Sequence, residues 1–372
     1  MITRFQARKL SGLWDLDLTF HSDINVLTGR NGAGKTTVLK LLWYLISGNL
    51  ARAVPEIRFE SVAVEASNFL LNVTIKDYDI NPTASIQWDL GSGSQTASLS
   101  FRNSAVERER FHEIDALIAN ASGSSVFFPT FRRIEGGFSI ASRGYGIRGR
   151  RATLLQEAMV DLADTLSVDH HVFVSSISTD DIESLLTQQY ADTSREANAL
   201  QAELSESIQE TIKNYDEVDS VSITESLNSA RTILRGIQQK VKEIEGKREA
   251  LFQPFTVLGA LVGELLKHKG IRIKDVTTFG DVSSAIEAGY LSAGEKQMLS
   301  FLCYNAFKRK SAIFIDEPEI SLHVDWQRIL FPKLLEQGSE NQFVIATHSP
   351  FIYSKYADRE LRLDQDLGFA DG

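Results

Sequence analysis

The chain of 372 residues is 43% hydrophobic and has a formal net charge of −10, from 39 Lys and Arg against 49 Asp and Glu. That is ample apolar material for a packed core and suggests two domains, while the acidic balance argues against nucleic-acid binding driven by phosphate neutralisation unless a local basic patch supplies it. One cysteine, Cys303 in LSFLCYNAF, provides neither disulfides nor a thiolate metal site, and neither a signal peptide nor a membrane span is expected, so a soluble cytoplasmic protein is predicted.

In chain order, residues 2–28 read as short strands: TRFQARKL, DLDLTF with period-two alternation, and INVLT, an apolar run of the buried type. GRNGAGKT follows at 29–36, and TTVLKLLWYLI from Thr36 reads as a helix. Between 54 and 102, alternating stretches such as FLLNVTI and ASIQWDL are punctuated by Asn81-Pro82 and by GSGS at 91–94, which predicts an antiparallel sheet. SSVFFPTF at 124–131 is another buried strand, ending at Pro129. From about 152 to 253 charged, Gln-rich helical sequence dominates. Ala230, Leu234, Ile237, Val241, Ile244 and Leu251 keep a four-three spacing broken at Arg248, and Leu200, Leu204, Ile208 and Ile212 form a shorter stripe before NYDEVDS at 214–220. The spacing predicts a helical hairpin along an apolar seam, with two ordinary amphipathic helices on a globular body as the alternative. Strand-like sequence resumes with IRIKDVTTF from 271, then SAIFID and QFVIATHS. The expected organisation is an α/β nucleotide-binding fold in two halves, 1–150 and 271–372, separated by a helical insertion at 151–270.

The run 29–36 fits G-x-x-x-x-G-K-[ST] at Gly29, Gly34, Lys35 and Thr36. Backbone N–H groups can converge on phosphates only if the chain curls tightly, which Gly29, Gly32 and Gly34 permit. Lys35 would reach the β- and γ-phosphates, the Thr36 hydroxyl would ligate Mg²⁺, and the following helix points its positive end at the same charge. The candidate nucleotide-binding run is therefore Gly29, Asn31, Gly32, Ala33, Gly34, Lys35, Thr36 and Thr37. AIFIDEPE at 312–319 is a buried strand ending in two acids: Asp316 would hold the Mg²⁺ with Thr36, and Glu317 would polarise the attacking water. ATHSP at 346–350 sets His348 at a strand end, where spacing alone favours a structural histidine. YLSAGEKQML at 290–299 places Ser292, Gly294 and Glu295 at a helix start, a second phosphate-reading element on one chain; in isolation an N-cap serine would look the same.

Taken together, GRNGAGKT, LSAGEKQ, FIDEPE and ATHSP resemble the ABC-type ATPase superfamily, in its soluble SMC, RecF and OLD-like branch. INVLTGRNGAGKTT, DEPEISLH and ATHSPFI look OLD-like rather than like transporter subunits; roughly 1–50 and 285–355 match closely and the middle only in kind. The resemblance implies an ABC-type P-loop ATPase head with an N-terminal antiparallel sheet and a short coiled-coil hairpin inserted. It implies ATP and Mg²⁺ as cofactors, hydrolysis to ADP and phosphate, and a homodimer or higher oligomer that shares its ATP sites. Ser292 and Gly294 of one protomer, with Glu295 beside them, would close over the γ-phosphate bound to the other. Ala293 stands where the common form of that motif has glycine. His348 becomes the switch histidine on the γ-phosphate, reversing the reading from spacing, and SLH at 321–323 the loop that couples the two pockets. The glutamine loop that senses Mg²⁺ has no clear match. Gln87 is a weak candidate, and FFPTFRRIEGG at 127–137 would occupy that region, with Arg132 and Arg133 either on nucleotide or a partner, or solvated.

OLD-like ATPases commonly carry a Toprim nuclease domain after the switch histidine, whereas about two dozen residues follow ATHSP here, too few for one. The chain resembles the ATPase components of the PARIS, Septu and retron anti-phage systems. What that implies is an ATPase that regulates a separately encoded effector nuclease or toxin until a phage-derived trigger arrives, without a membrane. The insertion and RGYGIRGRR at 143–151 would face the partner. The alternative is a RecF- or SMC-like DNA-bound repair ATPase, for which the arginines at 143, 148, 150 and 151 would bind phosphate; a flexible linker with solvated arginines is the plainer reading of that stretch.

Overall fold

The computed structural model describes residues 1–76, 82–91, 93–101, 105–130, 132–134, 158–177, 179–216, 223–265 and 291–363. These fall into two compact units, one from Met1–Ser178 with Tyr290–Gly372 and one from Thr179–Gly289.

In the first unit, β1 (Ile2–Leu10) and β2 (Trp14–Thr19) form a hairpin, and β3 (Ile24–Thr28) leaves it for a different sheet. α1 (Lys35–Ile46) and α2 (Leu50–Glu56) follow, then β4 (Ser61–Ala66), β5 (Leu70–Lys76), β6 (Thr83–Asp89) and β7 (Ser94–Ser100). The antiparallel sheet has the order β2-β1-β4-β5-β6-β7. Its alternation is legible strand by strand: in β5, Leu71, Val73 and Ile75 are buried and Asn72 and Thr74 are less so. Helix α3 (Ala105–Ser122) and β8 (Ser125–Phe128) come next, then the two-residue β9 (Arg133–Ile134), α4 (158–166), β10 (His171–Phe173) and β11 (Ser176–Ile177).

The second unit is a pair of long helices, α5 (Thr179–Asp216) and α6 (Ile223–Leu265). At about 1.5 Å per residue each spans roughly 60 Å. They run antiparallel: Tyr190 packs edge-on against Phe255 with centroids 5.8 Å apart, and further along Lys240 Nζ donates to Ser207 Oγ. Two of the predicted seam residues fall off it, one on each helix. Ile233, not Leu234, lies on the half-buried stripe with Ile237, Val241 and Ile244, while Leu234 is 60% exposed and Ile212 50%. This unit begins at 179 rather than 151, because β10 and β11 still pair with β8 and β9 of the first unit. The strand expected from 271 lies outside the described residues.

The first unit resumes with α7 (Ala293–Phe307), β12 (Ala312–Asp316), α8 (Val324–Glu336), β13 (Gln342–Ala346), the short α9 (Pro350–Tyr353) and β14 (Glu360–Arg362). The second sheet is parallel throughout, in the order β10-β8-β12-β13-β3-β14. Every residue of β3, β8, β12 and β13 is buried, as expected of parallel strands covered on both faces. One apolar cluster joins residues of both sheets with α1, whose Val38, Leu39, Leu41, Leu42, Trp43, Leu45 and Ile46 are buried while Thr36, Thr37 and Lys40 form its polar edge. Trp43 lies 5.2 Å from Phe127 by ring centroids and donates from Nε1 to Ser125 Oγ; Ser125 in turn meets His171 Nδ1 at 2.7 Å. The two sheets are stitched by Gln342, whose side chain accepts from Ile2 N at 2.8 Å and donates to Ile2 O at 2.7 Å. The α/β class with an antiparallel sheet near the N-terminus is thus the observed one. No helix among the described residues is long and apolar enough to cross a membrane.

Candidate functional site

The parallel register decides where the site lies. Asp316 is level with Ala346, Ala346 with Leu27, and Ile315 with Phe128, so β8, β12, β13 and β3 end together. The loops that leave these four carboxyl ends hold most of the predicted residues, the usual place for a ligand in an open parallel sheet.

After β3, the loop from Gly29 to Gly34 has left-handed glycines at Gly29 (φ 143°), Gly32 (φ 85°) and Gly34 (φ 86°). At Gly34 a side chain is barred twice over, since a Cβ there would lie 2.9 Å from Trp14 Cζ3. Asn31, Gly32 and Thr36 are exposed, Ala33 and Thr37 half-buried. Lys35 is buried and its Nζ donates into the loop, to Gly29 O at 3.0 Å and Arg30 O at 3.2 Å. The ammonium therefore sits where a phosphate held by the loop would meet it.

Across the sheet, Thr36 Oγ1 donates to Asp316 Oδ1 at 3.1 Å, joining two motifs 280 residues apart, and Thr130 Oγ1 donates to Asp316 Oδ2. Burial pushes the Asp316 carboxyl above the usual range, against the hydrogen bonds from Thr130 and Thr36 and the charge of Arg132. Glu317 has φ 48° and donates its N–H to Ala346 O at 2.8 Å, tying the end of β12 to β13. After β13, His348 is exposed, with its N–H donated to Glu319 Oε1 at 2.7 Å; Thr347 Oγ1 donates to Glu319 Oε2 at 2.8 Å. Glu319, unassigned by sequence although it closes DEPE, is what joins the acid loop to the histidine loop.

At the start of α7, Ser292 is exposed and caps the helix in a reciprocal pair: Glu295 N donates to Ser292 Oγ at 3.3 Å, and Ser292 N to Glu295 Oε2 at 2.6 Å. The Glu295 carboxylate is thus turned onto its own helix end and buried there, which makes it a capping group rather than a phosphate-facing one. Gly294 meets the SLH loop, where a Cβ would lie 2.5 Å from Ser321 O.

Arg132 was read as a contact for nucleotide or partner, or as a solvated arginine. It is neither solvated nor turned outward. It is 7% exposed, and its guanidinium donates to Pro129 O (2.8 Å), Asp316 O (2.9 Å) and Glu317 O (3.1 Å). Burial lowers its pKa to about 10 despite Asp316, Glu319 and Glu317 nearby. Thr130, which no motif marked, completes the group around Asp316. Gln87 is not among these residues: it lies within β6 and donates to Ser94 Oγ across the antiparallel sheet. Arg133 belongs to β9, and RGYGIRGRR at 143–151 lies outside the described residues.

A Mg²⁺ ion fits this chemistry, because the Thr36 hydroxyl and the Asp316 carboxylate offer adjacent hard oxygens. Few protein ligands, completed by phosphate oxygens and water, are what that ion takes.

The model of the family described as "AAA domain, putative AbiEii toxin, Type IV TA system" matches residues 24–354. Among curated relatives, Endonuclease GajA of Bacillus cereus (strain VD045) is 40% identical over 77 residues, a match covering 19% of this chain and only 13% of GajA. Similar solved structures include the Smc head domain with an extended coiled coil bound to the C-terminal domain of ScpA from Pyrococcus furiosus, at TM-score 0.37 and 13% identity over 95% of this chain and 91% of that one. Another is the SmcHead bound to the C-winged helix domain of ScpA, at TM-score 0.38 and 11% identity with the same coverage.

Proposed function

The chain belongs to this AAA-domain family, and from that premise we propose that it binds and hydrolyses ATP as a dimer and regulates a separately encoded effector in anti-phage defence. The observation that supports the ATPase reading most directly is the hydrogen bond from Thr36 to Asp316 at aligned strand ends, beside a glycine loop filled by the Lys35 ammonium. The loop N–H groups and Lys35 would hold the phosphates, Thr36 and Asp316 would hold Mg²⁺, and Glu317 would accept a hydrogen bond from the attacking water. When bound, Mg²⁺ neutralises charge that develops on the phosphate oxygens. His348, exposed at the end of β13, contacts the γ-phosphate, and the exposed Ser292 with Gly294 closes over a second copy's nucleotide. The effector reading is supported by the motif resemblance to anti-phage ATPases and by the partial match to an endonuclease. The two-helix unit would face that partner.

The test uses two variants. Lys35→Ala should lose ATP binding. Glu317→Gln should keep binding, lose turnover by about 100-fold or more, and elute as a dimer with ATP and Mg²⁺. Monomers under those conditions, or wild-type turnover in Glu317→Gln, would refute the shared-site ATPase. Mass spectrometry of what the trapped Glu317→Gln protein retains then decides the effector: a stoichiometric nuclease or toxin supports the reading, and DNA with repair proteins overturns it.

A further inference from the structure

Three consecutive peptide carbonyls, the last of β12 and the next two, are held by two buried side chains from distant parts of the chain. Arg132 Nη1 donates to Asp316 O at 2.9 Å and Nη2 to Glu317 O at 3.1 Å, while Gln297 Nε2 donates to Pro318 O at 2.8 Å. Arg132 is 7% exposed and Gln297 0%. Both approach from the same side of the segment, since the guanidinium lies 5.5 Å from the centroid of Phe301, one helical turn beyond Gln297 in α7. Each leaves one buried polar atom without a hydrogen-bond partner among the described residues, Arg132 Nε and Gln297 Oε1. Apart from the bond from Arg132 to Pro129 O, the hydrogen bonds that both side chains do make run to main-chain carbonyls of this one segment. What the two residues supply in return is geometric. The central residue of the held segment, Glu317, has φ 48°, a left-handed conformation that a residue with a Cβ keeps only where its surroundings impose it.

Resting on the ATPase reading above, we propose that Arg132 and Gln297 are positioning residues for Glu317: by fixing the carbonyls of 316, 317 and 318 they set the turn that aims its carboxylate before any nucleotide binds. Neither is a catalytic residue, because both act through the backbone. Arg132 contributes a planar fork that spans two carbonyls at once, which a lysine ammonium cannot reproduce. Gln297 contributes one donor, which a methionine of similar volume lacks.

The experiment compares Arg132→Lys and Gln297→Met with wild type, using ATP turnover and amide hydrogen exchange of the nucleotide-free protein. Both variants should lower kcat by about 10- to 100-fold and leave KM for ATP within about twofold, because orientation of the base is lost while the phosphate loop is intact. Without nucleotide, the amides of Glu317 and Ile320, which donate to Ala346 O and Glu317 O, should exchange about tenfold faster or more. In a Glu317→Gln background neither change should reduce residual turnover further. Wild-type kcat and exchange in folded variants, a rise in KM alone, or an undiminished second loss in the Glu317→Gln background would each overturn the proposal. If Arg132→Lys does not fold, Gln297→Met decides. A wild-type protein without turnover would refute the ATPase reading instead, and the exchange rates would then judge the clamp by themselves.

Discussion

Asp115 lies beneath the start of α2 with its carboxylate accepting from Leu50 N at 2.9 Å and from Ala51 N at 3.4 Å. Burial raises its pKa to about 6, against those two hydrogen bonds and the charges of His112 and Arg52. A folded-state pKa above the unfolded one means that the group favours the fold while protonated. That contribution is present below the ordinary carboxylate value of about 4 and is lost as pH rises through about 6; a difference of about two units corresponds to about 3 kcal/mol. Asp115→Asn removes the ionisation but keeps an acceptor for Leu50 N. The melting temperature of the variant minus that of wild type should therefore rise by about 3 °C between pH 4.5 and pH 7.5; a difference independent of pH would refute the assignment. The same scale shows what a motif reveals and what it conceals. Gly34 was expected from the need to curl around phosphates, but the ring of Trp14 gives a second reason that no spacing contains. Gly294 was read as facing a neighbour's phosphate, yet the Ser321 carbonyl already requires glycine there within the same chain.

At the level of elements, legibility followed burial. β3, β12 and β13 were readable because parallel strands covered on both faces are continuous apolar runs. β10 and β11 were not, because three and two residues leave no periodicity against a charged helical background, and their pairing with β8 and β9 is a long-range property. The role of Arg132 stayed open for a related reason: two of its three partners are carbonyls about 185 positions away, and carbonyls have no sequence signature. Pattern also fails by a single position on a long helix. The four-three count selected Leu234, but α6 turns Ile233 onto the half-buried stripe and leaves Leu234 60% exposed. Ile233→Ser should accordingly weaken the α5–α6 pair by about 1 kcal/mol, and Leu234→Ser should stay within about 0.5 kcal/mol. Hydrogen exchange of the amides around 230–244 measures both. Faster exchange in Leu234→Ser than in Ile233→Ser would reverse the assignment of the seam.

For the molecule as a whole, the glycine loop at 29–34 and the start of α7 are distinct pieces of the same unit. Ser292 is exposed while its Oγ serves as the cap acceptor for Glu295 N, so its own O–H is free to donate outward. If that donor belongs to another copy's nucleotide, damage to the loop and damage to α7 must complement each other across protomers. Lys35→Ala and Ser292→Arg should each be inactive alone. Mixed in equal amounts before ATP is added, half of the two-fold dimers contain one of each, and each of these retains one intact composite site, so turnover should return to roughly a quarter of wild type. Melting curves of the separate variants show that both are folded, and unmixed controls at twice the concentration remove dilution as a cause. Recovery would require that Lys35 of one copy and Ser292 of the other meet at one nucleotide, because neither protein supplies both. An inactive mixture of folded variants would overturn the assignment of Ser292 to another copy's nucleotide.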